Sequence, residues 1–318
     1  MTMESVPENE SYSEDGFPGL ARIVTDLRGL RASAQKSRYR DGTLPELPSR
    51  GAMSGIVDGL LSALFPRHFG PRTLNDERID GFVAHTLDTT LRQLQEQIRC
   101  ELQLAAATEG LEPGDCRSLA FGITCQFAAL LPEIRALLDT DIQAAFDGDP
   151  AAKSLDEVVF CYPGVTAVIH HRLAHLLYRF GAPMLARIIA EFAHSATGID
   201  IHPGATIGES FFIDHGTGVV IGETAIIGRH VRLYQAVTLG AKRFATDESG
   251  ALIKGAPRHP IVEDDVVIYA GATILGRIVI GKGSSIGGNI WLTHGVPPGS
   301  NITQAKVRSE AFDEGGGI

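Results

Sequence analysis

The sequence is poor in cysteine, in positive charge and in long apolar runs, and each shortage narrows the class of protein. Its four cysteines, Cys100, Cys116, Cys125 and Cys161, show no CxxC or Cys/His metal-ligand spacing, so we predict reduced thiols. Lysine and arginine number 28 against 38 acidic residues, a net charge of −10, which argues against a nucleic-acid-binding surface. No stretch approaches about eighteen apolar residues, and the acidic N-terminus lacks a hydrophobic signal segment. We therefore expect a cytoplasmic protein without membrane contact.

The strongest pattern in the chain is an aliphatic residue at every sixth position through most of 199–292. Two extra residues interrupt it after Ile213, and a longer excursion interrupts it after Leu239. Glycine often follows the aliphatic residue, as in Ile207-Gly208. The thirteen positions are Ile201, Ile207, Ile213, Ile221, Ile227, Leu233, Leu239, Val262, Ile268, Ile274, Ile280, Ile286 and Leu292.

A six-residue period excludes an α-helix, because six residues turn about 600° and spread the apolar side chains around the whole helix. The period is typical of a hexapeptide parallel β-helix, in which each repeat is one short strand and a turn. Three strands close a triangular coil of roughly eighteen residues, and the aliphatic side chains stack along its axis. We predict a left-handed β-helix with an extruded loop.

Before the repeat, the apolar spacing is helical, with Ile56, Leu60 and Leu64 on one face. Further helices are predicted over 116–131, 132–146 and 162–194, the last with a break near Gly181. The fold class is therefore α+β, an α-helical domain followed by the β-helix. We expect 1–18 to be disordered because the segment is polar and acidic. The helical domain then covers 19–195, the β-helix 196–300 and a flexible tail 301–318.

A regular repeat only forms the sides of the β-helix, so we expect the catalytic and binding residues where the repeat is interrupted. The first interruption contains Asp214 and His215, and the second is a loop of about twenty residues that returns through Arg258 and His259. Asp200 lies fifteen residues before His215. With coils of roughly eighteen residues, we expect these two side chains on adjacent coils, roughly 4.8 Å apart. The carboxylate would leave one ring nitrogen free as a base, although a structural pair has the same geometry.

Several motifs stand apart from the plain repeat. They are Asp200-Ile201-His202-Pro203, the block at 213–218, Ile221-Gly222-Glu223-Thr224-Ala225, Gln235-Ala236-Val237-Thr238-Leu239-Gly240 and Arg258-His259-Pro260, with Asp141-Ile142-Gln143-Ala144 and Asp149-Pro150-Ala151 upstream. Together they resemble the serine O-acetyltransferases, a family of hexapeptide acyltransferases. The resemblance spans roughly 141–298. Hexapeptides alone occur in many acyltransferases, so the order of these motifs is the more specific signal.

The resemblance implies transfer of an acetyl group from acetyl-CoA to the hydroxyl of L-serine, which gives O-acetylserine for cysteine synthesis. It implies direct attack, with acetyl-CoA as a co-substrate, no tightly bound cofactor and no metal. His215 matches the general base of the family and Asp200 its orienting carboxylate. The positions that match those holding the amino acid are Asp149, Asp214, Arg258 and His259.

The resemblance also implies a coenzyme site along the prism wall, where small residues permit close approach to the main chain. Its residues are Gly240, Ala241, Ala270, Gly271 and Gly288. The substrates would meet in a cleft between neighbouring prisms of a homotrimer or a dimer of trimers. L-cysteine is implied as a feedback inhibitor because it resembles serine. Ile318, behind three glycines, matches the terminus that the family inserts into O-acetylserine sulfhydrylase.

Two segments depart from the family pattern. The excursion at 242–256 is longer than the usual glycine-rich loop, and the family's Gly-Val-Pro-Ala-Arg segment is replaced at 304–308. Other functions stay open. One is an acyltransferase with another hydroxyl or amine acceptor, and another is a non-catalytic scaffold for the sulfhydrylase. A zinc enzyme of the carbonic anhydrase kind would use His202, His215 and His230, whose spacings of thirteen and fifteen do not match that family.

Overall fold

A computed structural model describes residues 17–39, 44–109, 114–243 and 247–304, and in these residues helices precede strands. The helices are α1 (Leu20–Arg38), α2 (Arg50–Leu64), α3 (Pro66–Phe69), α4 (Ile79–Glu109), α5 (Cys116–Ala129), α6 (Leu131–Gly148), α7 (Leu155–Cys161), α8 (Pro163–Arg179) and α9 (Pro183–Thr197).

The strands are short and follow one another at nearly even spacing. They are β1 (Asp200–Ile201), β2 (Thr206–Ile207), β3 (Phe212–Ile213), β4 (Val220–Ile221), β5 (Ile226–Ile227), β6 (Arg232–Leu233), β7 (Thr238–Gly240), β8 (Ile261–Val262), β9 (Val267–Ile268), β10 (Thr273–Leu275), β11 (Val279–Ile280), β12 (Ser285–Ile286), β13 (Trp291–Leu292) and β14 (Asn301–Ile302).

Local chemistry sets the helix ends. The side chain of Ser49 accepts a hydrogen bond from the main-chain N–H of Ala52 at the start of α2, and Asp115 caps α5 in the same way. Helices α6, α8 and α9 carry proline in their first turn, where a missing N–H costs nothing. The predicted break near Gly181 is confirmed, since α8 and α9 are separate helices and Gly181 has a φ of 87°. Helix α9 ends at Gly198, whose φ is 71°.

From β1 to β13 every third strand lies in the same parallel sheet, so the strands form three sheets around one axis. The first sheet has the order β1-β4-β7-β10-β13, the second β2-β5-β8-β11 and the third β3-β6-β9-β12-β14. The thirteen aliphatic residues of the repeat are each at most 8% exposed and fill the interior. Complete burial of one such side chain contributes about 1.5–3 kcal/mol. The predicted α-helical domain followed by a parallel β-helix is confirmed.

One buried ion pair joins the helical domain to the first coils of the prism. Arg172 on α8 donates two hydrogen bonds of 2.9 Å to Asp141 on α6, and it also donates to the carbonyl oxygens of Ile207 and Gly208. Asp141 accepts a further hydrogen bond from the main-chain N–H of Phe211. Burial raises the pKa of Asp141, against the attraction of Arg172. The pair therefore fixes α6, and the Asp149 that follows it, against the prism.

Strand β14 pairs with β12, so the β-helix continues two residues past the boundary that we predict at 300. The predicted disordered segment 1–18, apart from residues 17 and 18, and the predicted partner contact at Ile318 fall outside the described residues. Across the described segments, no single helix has both the length and the apolar character needed to cross a membrane. Helices α5 and α6 meet that test only as a pair bent by 42°.

Candidate active site

The predicted site residues lie at two of the three corners of the prism. The Asp214 corner comprises the turns that lead from the third sheet to the first, and it contains Asp214 and His215 between β3 and β4. The Arg258 corner comprises the turns that lead from the first sheet to the second. It contains Arg258 and His259 at the end of the extruded loop, between β7 and β8.

At the Asp214 corner, His215 projects into solvent beside a carboxylate. Its backbone has a φ of 60°, in the left-handed region that non-glycine residues seldom occupy. Its side chain is 71% exposed, and its Nε2 lies 3.9 Å from Oδ1 of Asp214. The Asp214 side chain is only 11% exposed and accepts a hydrogen bond of 2.6 Å from Nη2 of Arg232. An accessible imidazole therefore stands next to a carboxylate that is already paired.

The helical domain contributes a second carboxylate to this corner. Asp149 follows α6 and accepts hydrogen bonds from the hydroxyl of Tyr162 at 2.5 Å and from the main-chain N–H of Ala151 at 2.8 Å. These two bonds, with the nearby charges of Arg232 and His215, hold the pKa of Asp149 below its usual range. The same hydrogen bond raises the pKa of Tyr162 to about 12. Asp149 is thus an anion near the imidazole of His215.

At the Arg258 corner, the side chains are held by a dense network. Arg258 donates a hydrogen bond of 2.6 Å to Glu223, which also accepts one of 2.7 Å from the hydroxyl of Tyr178. Arg277 donates to the carbonyl oxygens of Thr224 and His259 at 2.6 and 3.0 Å. The side chain of Arg258 remains partly exposed, at 26%. Arg258 is therefore a cation that Glu223 fixes in place and that a ligand can still reach.

His259 is neutral at physiological pH. Burial and, next, the charge of Arg258 lower its pKa to about 4. The main-chain N–H of Thr224 donates to Nδ1 of His259 at 3.1 Å, so the ring proton lies on Nε2. A Cβ atom on Gly222 would lie 2.0 Å from Cδ2 of this ring, so only glycine admits the imidazole there. The ring is a fixed hydrogen-bond donor.

The two corners cannot converge on one small molecule within a single chain. They are joined by the strands of the first sheet, and about six residues separate Gly216 at one corner from Gly222 at the other. At about 3.3 Å per residue, this side of the triangle is roughly 20 Å long. A site that uses both corners therefore needs a second copy of the chain.

The predicted coenzyme residues are divided in the same way. Ala270, Gly271 and Gly288 lie in turns of the Asp214 corner, between the third and the first sheet. Gly240 ends β7, and Ala241 begins the loop at the Arg258 corner. Next to that loop is a cavity of about 310 Å³, whose lining includes Lys242, Arg243, Arg258 and Arg277. Both corners thus have small residues that a coenzyme could approach closely, and the Arg258 corner also carries positive charge.

The expected stacking of Asp200 on His215 is not seen. Asp200 lies beside Val220 in the parallel register, because the two inserted residues lengthen this first coil to twenty. No hydrogen bond or ion pair joins Asp200 to His215 in the described structure. Asp214 is the carboxylate that lies within ion-pair distance of the ring. The catalytic role of Asp200 stays a prediction.

The three histidines of the zinc alternative do not come together within the chain. His202 follows β1 at the Arg258 corner, His215 lies at the Asp214 corner, and His230 lies between the second and third sheets. Among the described residues, the group with metal-ligand spacing is Glu46, Glu96 and Cys100. Both carboxylates form ion pairs with Arg99, and these ion pairs account for their close approach without a metal ion.

Sequence reasoning missed several residues that hold the site together. They are Tyr162, Tyr178, Glu223, Thr224, Arg232 and Arg277. A signal was available for Glu223 and Thr224, which belong to one of the motifs that carry the family resemblance. The others come from helices, a strand or turns whose contacts depend on the docking of separate elements.

Comparison with known proteins decides the family. A serine acetyltransferase from Synechococcus elongatus, described as plasmid-encoded, is 62% identical over 303 residues, which cover 94% of this chain and 95% of the relative. The chain belongs to the serine acetyltransferase family. A serine acetyltransferase from Mycobacterium tuberculosis is 54% identical over 162 residues, 51% of this chain and 67% of that protein. No family model matches the chain.

Solved serine acetyltransferases share the fold. Isoform 3 from Entamoeba histolytica, in complex with cysteine, aligns with a TM-score of 0.69 at 37% identity and covers 82% of this chain and 84% of its own. The soybean enzyme in complex with serine aligns with a TM-score of 0.51 at 32% identity, over 78% of this chain and 95% of its own. The roles of His215 and Arg258 stay predictions.

Proposed function

We propose that this serine acetyltransferase transfers the acetyl group of acetyl-CoA directly to the hydroxyl of L-serine, with His215 as general base. The observation that carries the proposal is the exposed imidazole of His215 beside the carboxylates of Asp214 and Asp149. The free ring nitrogen takes the hydroxyl proton as the serine oxygen attacks the thioester carbonyl. The same proton then goes to the departing CoA thiolate. The products are O-acetylserine, for cysteine synthesis, and CoA.

The amino acid is held across two neighbouring chains. Asp149 and Asp214 of one chain attract the ammonium group of serine, and Arg258 with His259 of the next chain binds its carboxylate. The open face of Arg258 and the Nε2–H of His259 suit this role. This arrangement requires a closed ring of chains, which supports a homotrimer or a dimer of trimers over a monomer. The cysteine and serine complexes of the related enzymes support the same amino-acid pocket, with L-cysteine as an inhibitor.

Acetyl-CoA lies along the same cleft, as a substrate rather than a resident cofactor. Small residues at 270–271 and 288 let the pantetheine arm approach the main chain of one prism. The cavity beside the extruded loop of the next prism brings Lys242, Arg243 and Arg277 together, and cations of this kind pair with phosphate groups.

Two carboxylates compete as the partner that orients His215. The family resemblance assigns Asp200, whereas Asp214 lies at 3.9 Å in this structure. Asp200→Asn and Asp214→Asn separate them, because loss of the orienting group lowers kcat while loss of an ammonium-binding group raises KM for serine.

The test is release of free CoA from acetyl-CoA with L-serine, by the wild type and by His215→Ala. Removal of a general base lowers kcat by about 10²-fold or more. His230→Ala, at the third corner, is the matched control and retains activity. Turnover that does not depend on His215, or acetylation of another acceptor in preference to serine, would overturn the proposal.

A further inference from the structure

We propose that Arg232 is a positioning residue that holds Asp214 against His215 and offsets the negative charge beside the base. The inference rests on the proposed role of His215. Arg232 lies in β6, one coil above Asp214, where Phe212 is its neighbour in the parallel register. From there, Nη2 donates to Oδ2 of Asp214 at 2.6 Å, which leaves Oδ1 facing His215 at 3.9 Å.

Two aromatic rings pack against the guanidinium of Arg232 and restrict the motion of its side chain. Its Cζ lies 5.0 Å from the ring centre of Phe212 and 4.6 Å from that of Tyr234. Tyr234 in turn stacks on Tyr269 of the next coil, at 5.2 Å and 13°. These four planar side chains form one column along the Asp214 corner. A lysine would keep the charge but would lose the planar fit between the rings.

The column also supports the end of α6. A Cβ atom on Gly148 would lie 2.9 Å from Cδ1 of Phe212 and 3.7 Å from Nη1 of Arg232, so this last residue of α6 packs on both. Asp149 follows immediately. Arg232 is therefore in position to align the two carboxylates of the corner, one from the prism and one from the helical domain.

Charge balance explains why an arginine is needed. The ionisable groups around His215 are Asp214, Asp149 with its partner Tyr162, and Arg232. Two carboxylates alone would favour the imidazolium form, which cannot accept a proton. The guanidinium offsets one of them, and so favours the neutral imidazole.

The experiment compares Arg232→Gln and Arg232→Lys with Arg229→Gln, an exposed arginine that pairs with Glu209 at 3.6 Å. In Arg232→Gln the imidazole loses a nearby positive charge and binds a proton more readily. We therefore expect the acid limb of the pH profile, where kcat/KM for serine falls with falling pH, to shift to higher pH by about 1 unit. KM for serine rises about tenfold, while KM for acetyl-CoA stays within about twofold. Arg232→Lys restores the position of the acid limb but keeps a raised KM. Arg229→Gln matches the wild type.

A pH profile of Arg232→Gln that superimposes on the wild type would overturn the inference, as would equal losses in both KM values. The titration of the His215 ring, followed by NMR with labelled histidine, reads the same effect without turnover. A wild type that does not acetylate serine would refute the proposed function, whereas this titration would still test Arg232. If Arg232→Gln does not fold, Arg232→Lys and Asp214→Asn carry the test. Arg232→Lys must then raise KM for serine in the wild-type background but not in Asp214→Asn, where the carboxylate that Arg232 holds is already neutral.

Discussion

The Asp214 corner and the Arg258 corner flank the same sheet but are built in opposite ways. His215 is 71% exposed on a left-handed backbone, whereas His259 is buried and takes part in a network with Thr224. The Asp214 corner also depends on the helical domain, which supplies Asp149. The Arg258 corner depends mainly on the long loop that returns through Arg258, and the helical domain adds the hydrogen bond of Tyr178 to Glu223.

In the proposed function, this difference separates the residues that take part in the reaction from those that bind the substrate. A base needs access to its substrate and a protonation state that changes during the cycle, so exposure suits His215. A group that only binds a carboxylate needs fixed geometry and a constant state, so burial suits His259. Each kind of environment lies at its own corner, and in the proposed mechanism a second copy of the chain brings the two together.

The largest expected effect comes from mixing two inactive variants. His215→Ala and Arg258→Ala each lose about 10²-fold or more in kcat/KM when expressed alone. Co-expressed in equal amounts, they form mixed oligomers in which about a quarter of the sites combine two intact corners. CoA release should therefore recover to about a quarter of the wild-type rate. No recovery, with mixed oligomers shown by two affinity tags, would mean that both corners serve one chain.

A smaller effect should follow from Gly222→Ala at the Arg258 corner. The added methyl would lie 2.0 Å from Cδ2 of His259 and displace the ring. We expect KM for serine to rise about 10- to 100-fold with little change in KM for acetyl-CoA, since overpacking costs about 1–3 kcal/mol. Gly122→Ala, which has open space at its Cβ position, is the control. An unchanged KM for serine in Gly222→Ala would remove His259 from the recognition site.

The smallest effect concerns stability and pH. The pKa of His259 is lowered to about 4, mainly by burial, so the unfolded chain binds a proton more readily than the folded chain. The neutral, buried His259 therefore adds its full share to the free energy of unfolding above about pH 6.5. This share is lost as the pH falls towards 4. The urea midpoint should decline over this interval, and His259→Gln should decline less steeply. The exposed His230→Gln should keep the wild-type slope. An equal slope in His259→Gln and the wild type would contradict the lowered pKa.

The sequence predicted most of the prism and only part of its site. The six-residue period located thirteen of the buried residues in the prism interior, because a solenoid core repeats with its strands. Asp214, His215, Arg258 and His259 were found because they interrupt that period. The expected contact between Asp200 and His215 failed because the interruption itself changes the register, which pairs Asp200 with Val220.

The periodic core, the helical domain before it and the places where chemistry can occur follow from the sequence alone, since each depends on local patterns of apolar side chains. Docking of the helical domain on the prism decided the rest. Arg172 and Asp141 bring Asp149 to the Asp214 corner across 31 residues of sequence, and Tyr178 reaches Glu223 across 45. Such pairs join a helix, with 3.6 residues per turn, to other helices or to a prism with a six-residue repeat. Neither periodicity in the sequence predicts which residues will meet. Their geometry exists only after separate apolar faces have been buried together.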